Sequence, residues 1–291
     1  MAQGSTERTI VITGASTGIG AACAIACGRR GVQVYAGIRN AEAGELLRRA
    51  GGPSILPIHL DVTDAGSIAS AAERVKQEVG SRGLAGLINN AGIAVSGPLE
   101  FIPIERLRTQ FEVNVIGQIA VTQAFLPLLR TAKGRIVNMG SIAGRAATPM
   151  IGPYAASKFA LEALTDALRL EVQHFGIQVS IVEPGAVATP IWEKSSKAAD
   201  DLEASAGAEA HALYDGVIRG VRAVFDDAAQ RAIPTDAVVD AVWHALTADR
   251  PKTRYLVGAD AKFRALMAAW LPDRFQDWLL TKFLNLPPKR S

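Results

Sequence analysis

Cysteine and long hydrophobic runs are both scarce in this chain. Among 291 residues there are only two cysteines, Cys23 and Cys27. Two thiols supply neither a four-ligand zinc site nor a disulfide framework, and at this spacing they fit one apolar helix face. No apolar run approaches the roughly 18 residues of a membrane span, and the first residues, MAQGSTERT, lack the apolar segment of a signal peptide. These absences predict a cytoplasmic protein with no metal site, no N-terminal anchor and no transmembrane segment.

Blocks of like charge are absent as well. The 31 Lys and Arg residues exceed the 28 Asp and Glu residues by only three, and both signs are spread along the chain. Nucleic-acid and acidic-membrane partners usually require concentrated basic charge, so neither is expected. The four histidines are scattered and H-E-x-x-H does not occur, which argues against a common metallohydrolase site.

Short β-branched runs alternate with helical segments along most of the chain. This pattern predicts a single domain over residues 1–291 with one parallel sheet covered by helices on both faces. The expected strands are residues 9–13, 32–37, 55–60, 86–90, 134–140, 177–184 and 253–258.

Two regions depart from that alternation. Residues 191–230 are rich in Ala, Asp and Ser, and we interpret them as mobile helices that form a lid over a pocket. Residues 259–291 form a C-terminal extension that ends in the amphipathic stretch PDRFQDWLLTKFL. Such a helix can lie on a membrane surface, but packing on its own domain or on a second subunit is favoured.

A glycine-rich turn, GASTGIG at residues 14–20, joins the first strand to the first helix. Glycines there let the backbone approach a pyrophosphate, and the N–H groups at the helix start bind that anion. About 20 residues further on, an acidic residue would favour NAD(H), but the chain has Ile38 followed by Arg39. A guanidinium can bind a 2′-phosphate, which favours NADP(H), with NAD(H) as the alternative. Arg39 could instead be an ordinary solvated residue at a strand end.

Tyr154 and Lys158 stand four residues apart in YAASK, at the start of a predicted helix. Side chains at this spacing share a helix face, and most such pairs are inert. A tyrosine acting as a general base needs a pKa well below its usual value of about 10, and a lysine charge nearby would lower it.

Several motifs occur in the order found in the short-chain dehydrogenase/reductase family. They are TGASTGIG, LDV at 60–62, NNAG at 89–92, Asn114 in FEVNVIG, Ser141 in NMGSIAG, YAASK and PGAVAT at 184–189. The chain resembles this family over residues 8–258, which implies a doubly wound Rossmann-type α/β fold and an NAD(P)-dependent alcohol dehydrogenase or carbonyl reductase. More locally, GPLEFIPIERLRTQFEVNVIGQ, SKFALEAL and the C-terminal region are similar to the hydroxysteroid and retinol dehydrogenase branch, many of whose members associate with membranes.

The resemblance implies a role for each matching position. Tyr154 would be the general acid or base, Lys158 would bind the nicotinamide ribose, Ser141 would bind the substrate oxygen, and Asn114 would hold a relay water. Without the resemblance, Asp61 would be interpreted as a cap of the following helix and Ser141 as a turn residue. The predicted cofactor contacts are Gly14, Ser16, Thr17, Gly18, Ile19, Gly20, Arg39, Asp61, Val62, Asn90, Ala91, Gly92, Tyr154, Lys158, Pro184, Gly185, Val187 and Thr189.

The substrate pocket is expected to be apolar. Its predicted residues are Ser141, Val95, Met150, Ile191 and Trp192, which suit a steroid, retinoid or fatty alcohol or ketone. The alternative is a redox sensor of the same fold that binds NADP(H) without turnover. Family members commonly associate through the helices beside the fourth and fifth strands, so a homodimer or homotetramer is expected.

Overall fold

Seven parallel strands form one sheet in the order β3-β2-β1-β4-β5-β6-β7. The structure, a computed structural model, describes residues 8–287, and within the longest helix it describes the side chains from residue 209 onward. The strands are β1 (Thr9–Ile12), β2 (Gln33–Ile38), β3 (Ile55–His59), β4 (Gly86–Asn89), β5 (Arg135–Met139), β6 (Gln178–Pro184) and β7 (Arg254–Val257). Each matches a predicted strand to within a residue or two, and the predicted doubly wound fold is confirmed.

Ten α-helices accompany the strands in the part of the chain that the structure describes. They are α1 (Gly18–Arg29), α2 (Ala41–Gly51), α3 (Ala65–Val79), α4 (Ile104–Phe111), α5 (Gly117–Ala132), α6 (Gly152–Val172), α7 (Ile191–Gln230), α8 (Thr235–Thr247), α9 (Ala259–Trp270) and α10 (Asp273–Phe283). A π-helical turn, Glu112–Ile116, separates α4 from α5. Residues 191–230 form one continuous helix instead of the several helices expected.

The sheet is buried on both faces, as a parallel sheet must be. One face packs against α1 and α8, where Ile12, Val34 and Val242 are almost fully buried. The other face packs against α3, α5 and α6, with Val11 and Phe125 at its centre. The order in which successive strands join the sheet reverses between β1 and β4, the neighbours at the middle of the sheet. Ligands of open α/β sheets bind beyond the carboxyl ends of the strands at such a point.

One helical stretch of the described chain, Ile104–Ala132, is long and apolar enough to cross a membrane by length and composition, and half of its apolar window is buried within the fold. Core helices of soluble proteins meet the same criterion. This stretch is therefore weak evidence for a membrane span.

Candidate active site

A cavity of about 1330 Å³ opens at the carboxyl edge of the sheet. Ligand pockets commonly measure about 300–1,000 Å³, so this volume accommodates more than one small molecule. Most of the predicted site residues line it: Gly14, Ser16, Thr17, Gly18, Ile19, Arg39, Asp61, Val62, Asn90, Ala91, Gly92, Ser141, Met150, Tyr154, Lys158, Pro184, Gly185, Val187 and Thr189.

The glycine-rich turn has little spare space. Gly14 and Gly18 both have positive φ, near +60°, where L side chains are strained. Gly20 lies beneath the turn and does not line the cavity. A Cβ added to Gly20 would lie 2.4 Å from the Gly14 carbonyl oxygen and 2.5 Å from Asn90 Nδ2. Asn90 Nδ2 in turn donates 3.0 Å hydrogen bonds to the carbonyls of Thr13 and Gly14. The turn is thus fixed from below, and no side chain caps the N–H groups at the start of α1.

Arg39 and Asp61 lie together at the ends of β2 and β3. Arg39 Nη1 is 3.7 Å from Asp61 Oδ2, and the arginine side chain is 73% exposed. Burial would raise the pKa of Asp61, but hydrogen bonds from Thr63 and the charge of Arg39 outweigh it and lower that pKa. Arg39 therefore makes a loose ion pair whose guanidinium remains accessible to an anion.

Ser141, Tyr154 and Lys158 converge at the end of β5. Ser141 follows this strand, and its Oγ accepts a 3.1 Å hydrogen bond from the Ala143 N–H. The Ser141 hydroxyl also hydrogen-bonds the Tyr154 phenol. Lys158 Nζ donates to the Met139 carbonyl at 2.7 Å and lies 5.7 Å from the centre of the Tyr154 ring. The three side chains that the motif order singled out therefore share one wall of the cavity.

The protonation states differ from the expectation that Lys158 lowers the pKa of Tyr154. Burial raises the pKa of Tyr154, and only the hydrogen bond from Ser141 opposes this rise. Burial also lowers the pKa of Lys158 to about 8, against the opposing charge of Glu162. The expectation was wrong because the polar groups of Tyr154 and Lys158 are both buried. Desolvation then disfavours the phenolate of Tyr154 as well as the ammonium ion of Lys158. At neutral pH the phenol carries its proton.

Asn114 is fully buried within the π-helical turn and does not line the cavity. Its Oδ1 accepts from the Ile93 N–H at 2.9 Å, and its Nδ2 donates to the Ile93 carbonyl and to Ser157 Oγ. Ser157 Oγ donates to the Tyr154 carbonyl at 2.7 Å. The amide thus joins the loop after β4 to the helix that carries Tyr154, and its role in holding a relay water stays a prediction.

The loop after β6 closes the cavity on the opposite side. Gly185 lies so close to Asp260 that an added Cβ would be 2.0 Å from Asp260 Oδ2, which accepts a hydrogen bond from the Ala186 N–H. Thr189 approaches Gly18, with 3.4 Å between its Cβ and a Cβ built on that glycine. The loop after β6 therefore meets the glycine-rich turn directly.

The predicted substrate residues do not all line the cavity. Met150 lines the cavity, whereas Val95 is buried beside Ile102 because its N–H is bound by Gln110 Oε1 at 2.7 Å. The side chains of Ile191 and Trp192 lie outside the described residues. Much of the apolar wall of the cavity was not predicted from the sequence. Its side chains come from α7, α9 and α10: Ile218, Val221, Phe263, Met267, Leu280 and Phe283. The amphipathic pattern of α10 signalled a buried face but not the cavity that it covers.

The family profile described as short chain dehydrogenase matches residues 8–200. The chain belongs to the short-chain dehydrogenase family. It is 35% identical over 284 residues to an NADPH-dependent 3-dehydrocapnine reductase of Ornithobacterium rhinotracheale, with 96% of this chain and 98% of that one covered. It is 39% identical to the bovine 17-beta-hydroxysteroid dehydrogenase type 6, with 95% and 88% covered.

The fold comparison agrees. A short-chain dehydrogenase from Burkholderia cenocepacia, solved in complex with NADP, superposes with a TM-score of 0.72 at 29% identity, covering 96% of this chain and 98% of that one. The predicted relationship to the hydroxysteroid and retinol dehydrogenase branch is confirmed, and the protein is an oxidoreductase of the alcohol dehydrogenase and carbonyl reductase type.

Proposed function

We propose that this enzyme interconverts a hydrophobic secondary alcohol and its carbonyl compound with NADP(H), using Tyr154 as the proton donor and acceptor. The observation that carries the proposal is the convergence of Ser141, Tyr154 and Lys158 on a cavity whose other end is the glycine-rich turn. A shared cavity can bring a substrate carbonyl and a nicotinamide into contact, and such positioning supplies much of the rate enhancement.

NADP(H) is the favoured cofactor. An NADPH-dependent reductase and an NADP complex are among the relatives, and Arg39 lines the cavity with an accessible guanidinium that would bind a 2′-phosphate. The α1 N-terminus and the turn above Gly20 would hold the pyrophosphate, while the loop from Pro184 to Thr189 would cover the nicotinamide. When bound, the nicotinamide supplies or accepts the hydride.

Tyr154 and Ser141 handle the oxygen of the substrate. In carbonyl reduction the Ser141 hydroxyl hydrogen-bonds the carbonyl oxygen, and the protonated Tyr154 phenol donates its proton to the developing alkoxide. Lys158 orients the nicotinamide ribose with its buried ammonium group. The protonated state of Tyr154 that burial favours is the state that carbonyl reduction needs.

The substrate end of the cavity favours a long apolar molecule. Phe263, Met267 and Phe283 line it from the C-terminal helices, and Ile218 and Val221 line it from α7. Pockets of this composition bind apolar ligands and use few polar groups to orient them. A steroid, a retinoid or a fatty chain carrying a ketone suits this wall.

Turnover of hydrophobic ketones tests the proposal. Purified enzyme is mixed with NADPH and a panel of steroid, retinoid and long-chain carbonyl compounds, and oxidation of the reduced nicotinamide is followed by absorbance. Tyr154→Phe should bind NADPH as tightly as the wild type and lose at least about 100-fold in kcat. A wild type that binds NADPH without consuming it on any compound would indicate a redox sensor, and full activity in Tyr154→Phe would remove that residue from the mechanism.

The cytoplasm and a homodimer or homotetramer remain the proposed compartment and assembly. Large apolar side chains are exposed on the helices beside β4 and β5, namely Ile116, Phe159, Leu164 and Leu170. Such a surface supports association between subunits.

A further inference from the structure

Two glutamates are buried next to the proposed proton-transfer residues. Glu183 is fully buried at the end of β6, immediately before Pro184, and Glu162 is 8% exposed on α6. Glu162 lies four residues after Lys158, so the two side chains share one face of α6. Carboxylates are almost never fully buried unless they are paired.

Each glutamate faces one arginine. Arg145 Nε is 3.2 Å from Glu183 Oε1, and Arg254 Nη2 is 3.2 Å from Glu162 Oε2. Within the described part of the chain, none of the four carboxyl oxygens receives a hydrogen bond of good geometry from an N–H or hydroxyl donor. A proton on one of the two carboxyls would let that carboxyl donate a hydrogen bond to the other.

The surroundings of Glu162 determine how readily that proton leaves. Burial and the adjacent Glu183 raise the pKa of Glu162, and the two arginines oppose them. Two carboxyls that share one site ionise in two coupled steps. The charged and titratable groups around Glu162 come from α6, β6, β7 and the loop after β5: Tyr154, Lys158, Asp166, Glu183, Arg254 and Arg145.

We propose that Glu162 and Glu183 act as positioning residues: they share one proton, and loss of that proton places a negative charge beside Lys158 that keeps its ammonium group charged. This inference rests on the proposed function, because it assigns a role to the charge of Lys158. The cluster also joins three parts of the site, since Arg145 follows Ser141, Glu183 precedes the loop over the nicotinamide, and Glu162 belongs to the helix of Tyr154.

Glu162→Gln tests the idea because an amide mimics the protonated carboxyl and cannot ionise. At neutral pH the variant should match the wild type in folding, NADPH affinity and reduction rate. Above about pH 8 the extra negative charge is missing, so Lys158 loses its proton sooner. The alkaline fall of kcat/KM and of NADPH affinity should therefore move to lower pH by about one unit.

Two further variants separate charge from structure. Asp166→Asn removes a carboxylate that also contacts Arg254, at 2.6 Å, but is 42% exposed, and it should leave both pH profiles unchanged. Glu183→Gln leaves Glu162 ionised at neutral pH, so its alkaline limb should stay in place or move to higher pH. A downward shift in all three variants would indicate a general loss of structure and would overturn the proposal.

The two readouts distinguish this proposal from the function on which it rests. Normal turnover with superimposable pH profiles for the wild type and Glu162→Gln would refute the shared proton and leave the reductase assignment intact. If no carbonyl compound is reduced but NADPH affinity in Glu162→Gln shows the shifted pH dependence, the reductase assignment fails and the role of the pair stands.

Discussion

Replacing Gly20 with alanine tests whether the glycine-rich turn is fixed as the structure places it. The new Cβ would lie 2.4 Å from the Gly14 carbonyl oxygen and 2.5 Å from Asn90 Nδ2. Neither neighbour can move freely, because the oxygen belongs to the backbone of the turn and the amide makes two 3.0 Å hydrogen bonds to Thr13 and Gly14.

The cost follows from those contacts. Two hydrogen bonds contribute about 1 kcal/mol each, and overpacking at a close backbone contact adds about 1–3 kcal/mol. Gly20→Ala should therefore lower the free energy of unfolding by about 3–5 kcal/mol. If the turn must recover its native shape to bind the pyrophosphate, a penalty of about 2 kcal/mol weakens NADPH binding about 30-fold.

Thermal unfolding and fluorescence titration with NADPH measure the two effects. Gly216→Ala is the matched control, because its added Cβ would lie no closer than 3.5 Å to Pro287. Gly216 is within α7, so alanine there should stabilise the protein by about 0.5–1 kcal/mol and leave NADPH affinity unchanged. Wild-type NADPH affinity in Gly20→Ala would refute the assignment of this turn to the pyrophosphate.

Two further predictions concern charge. Arg39→Ala should weaken NADPH binding about tenfold and leave NADH binding unchanged, since only NADPH carries the 2′-phosphate. Arg48→Ala on α2 is the control. An equal effect of Arg39→Ala on the binding of both cofactors would contradict the role of Arg39. Lys158→Met removes a lysine whose folded pKa of about 8 is below its ordinary 10.5, so the unfolded wild type binds more protons between these values. Urea unfolding measures the difference in free energy of unfolding between the wild type and Lys158→Met. This difference should increase by about 3 kcal/mol in favour of the wild type from pH 8 to 10.5. A difference that does not change with pH would show that Lys158 is not desolvated.

The sheet was predictable because the inner strands are short, rich in β-branched residues and buried on both faces. Val11 and Val34 lie in strands where nearly every residue is buried, so burial and local propensity agree. The interruption between α4 and α5 was not predictable, because one extra residue in a helical turn hardly changes the apolar pattern. The π-helical turn matters for a tertiary contact, because Asn114 lies within it and binds the Ile93 backbone.

Motif order located the polar part of the candidate site and failed for the apolar part. Glycines and polar side chains at strand ends are constrained by local geometry, so their positions can be read along the chain. The direction of a loop side chain such as Val95 depends on a distant partner, here Gln110. The same limit applies to Phe263 and Met267, whose helix packs Ala261 and Ala265 beside Ile142 at the cavity.

That packing has a chemical consequence. Arg264 on α9 donates 2.8 Å hydrogen bonds to the Ala146 carbonyl and to Thr148 Oγ1, in the loop that follows Ser141. The C-terminal extension therefore fixes the loop that follows Ser141. Burial raises the pKa of the Tyr154 phenol further above neutral pH, so the extension supports the acid that carbonyl reduction needs by fixing the loop beside that phenol, and it also supplies part of the apolar wall.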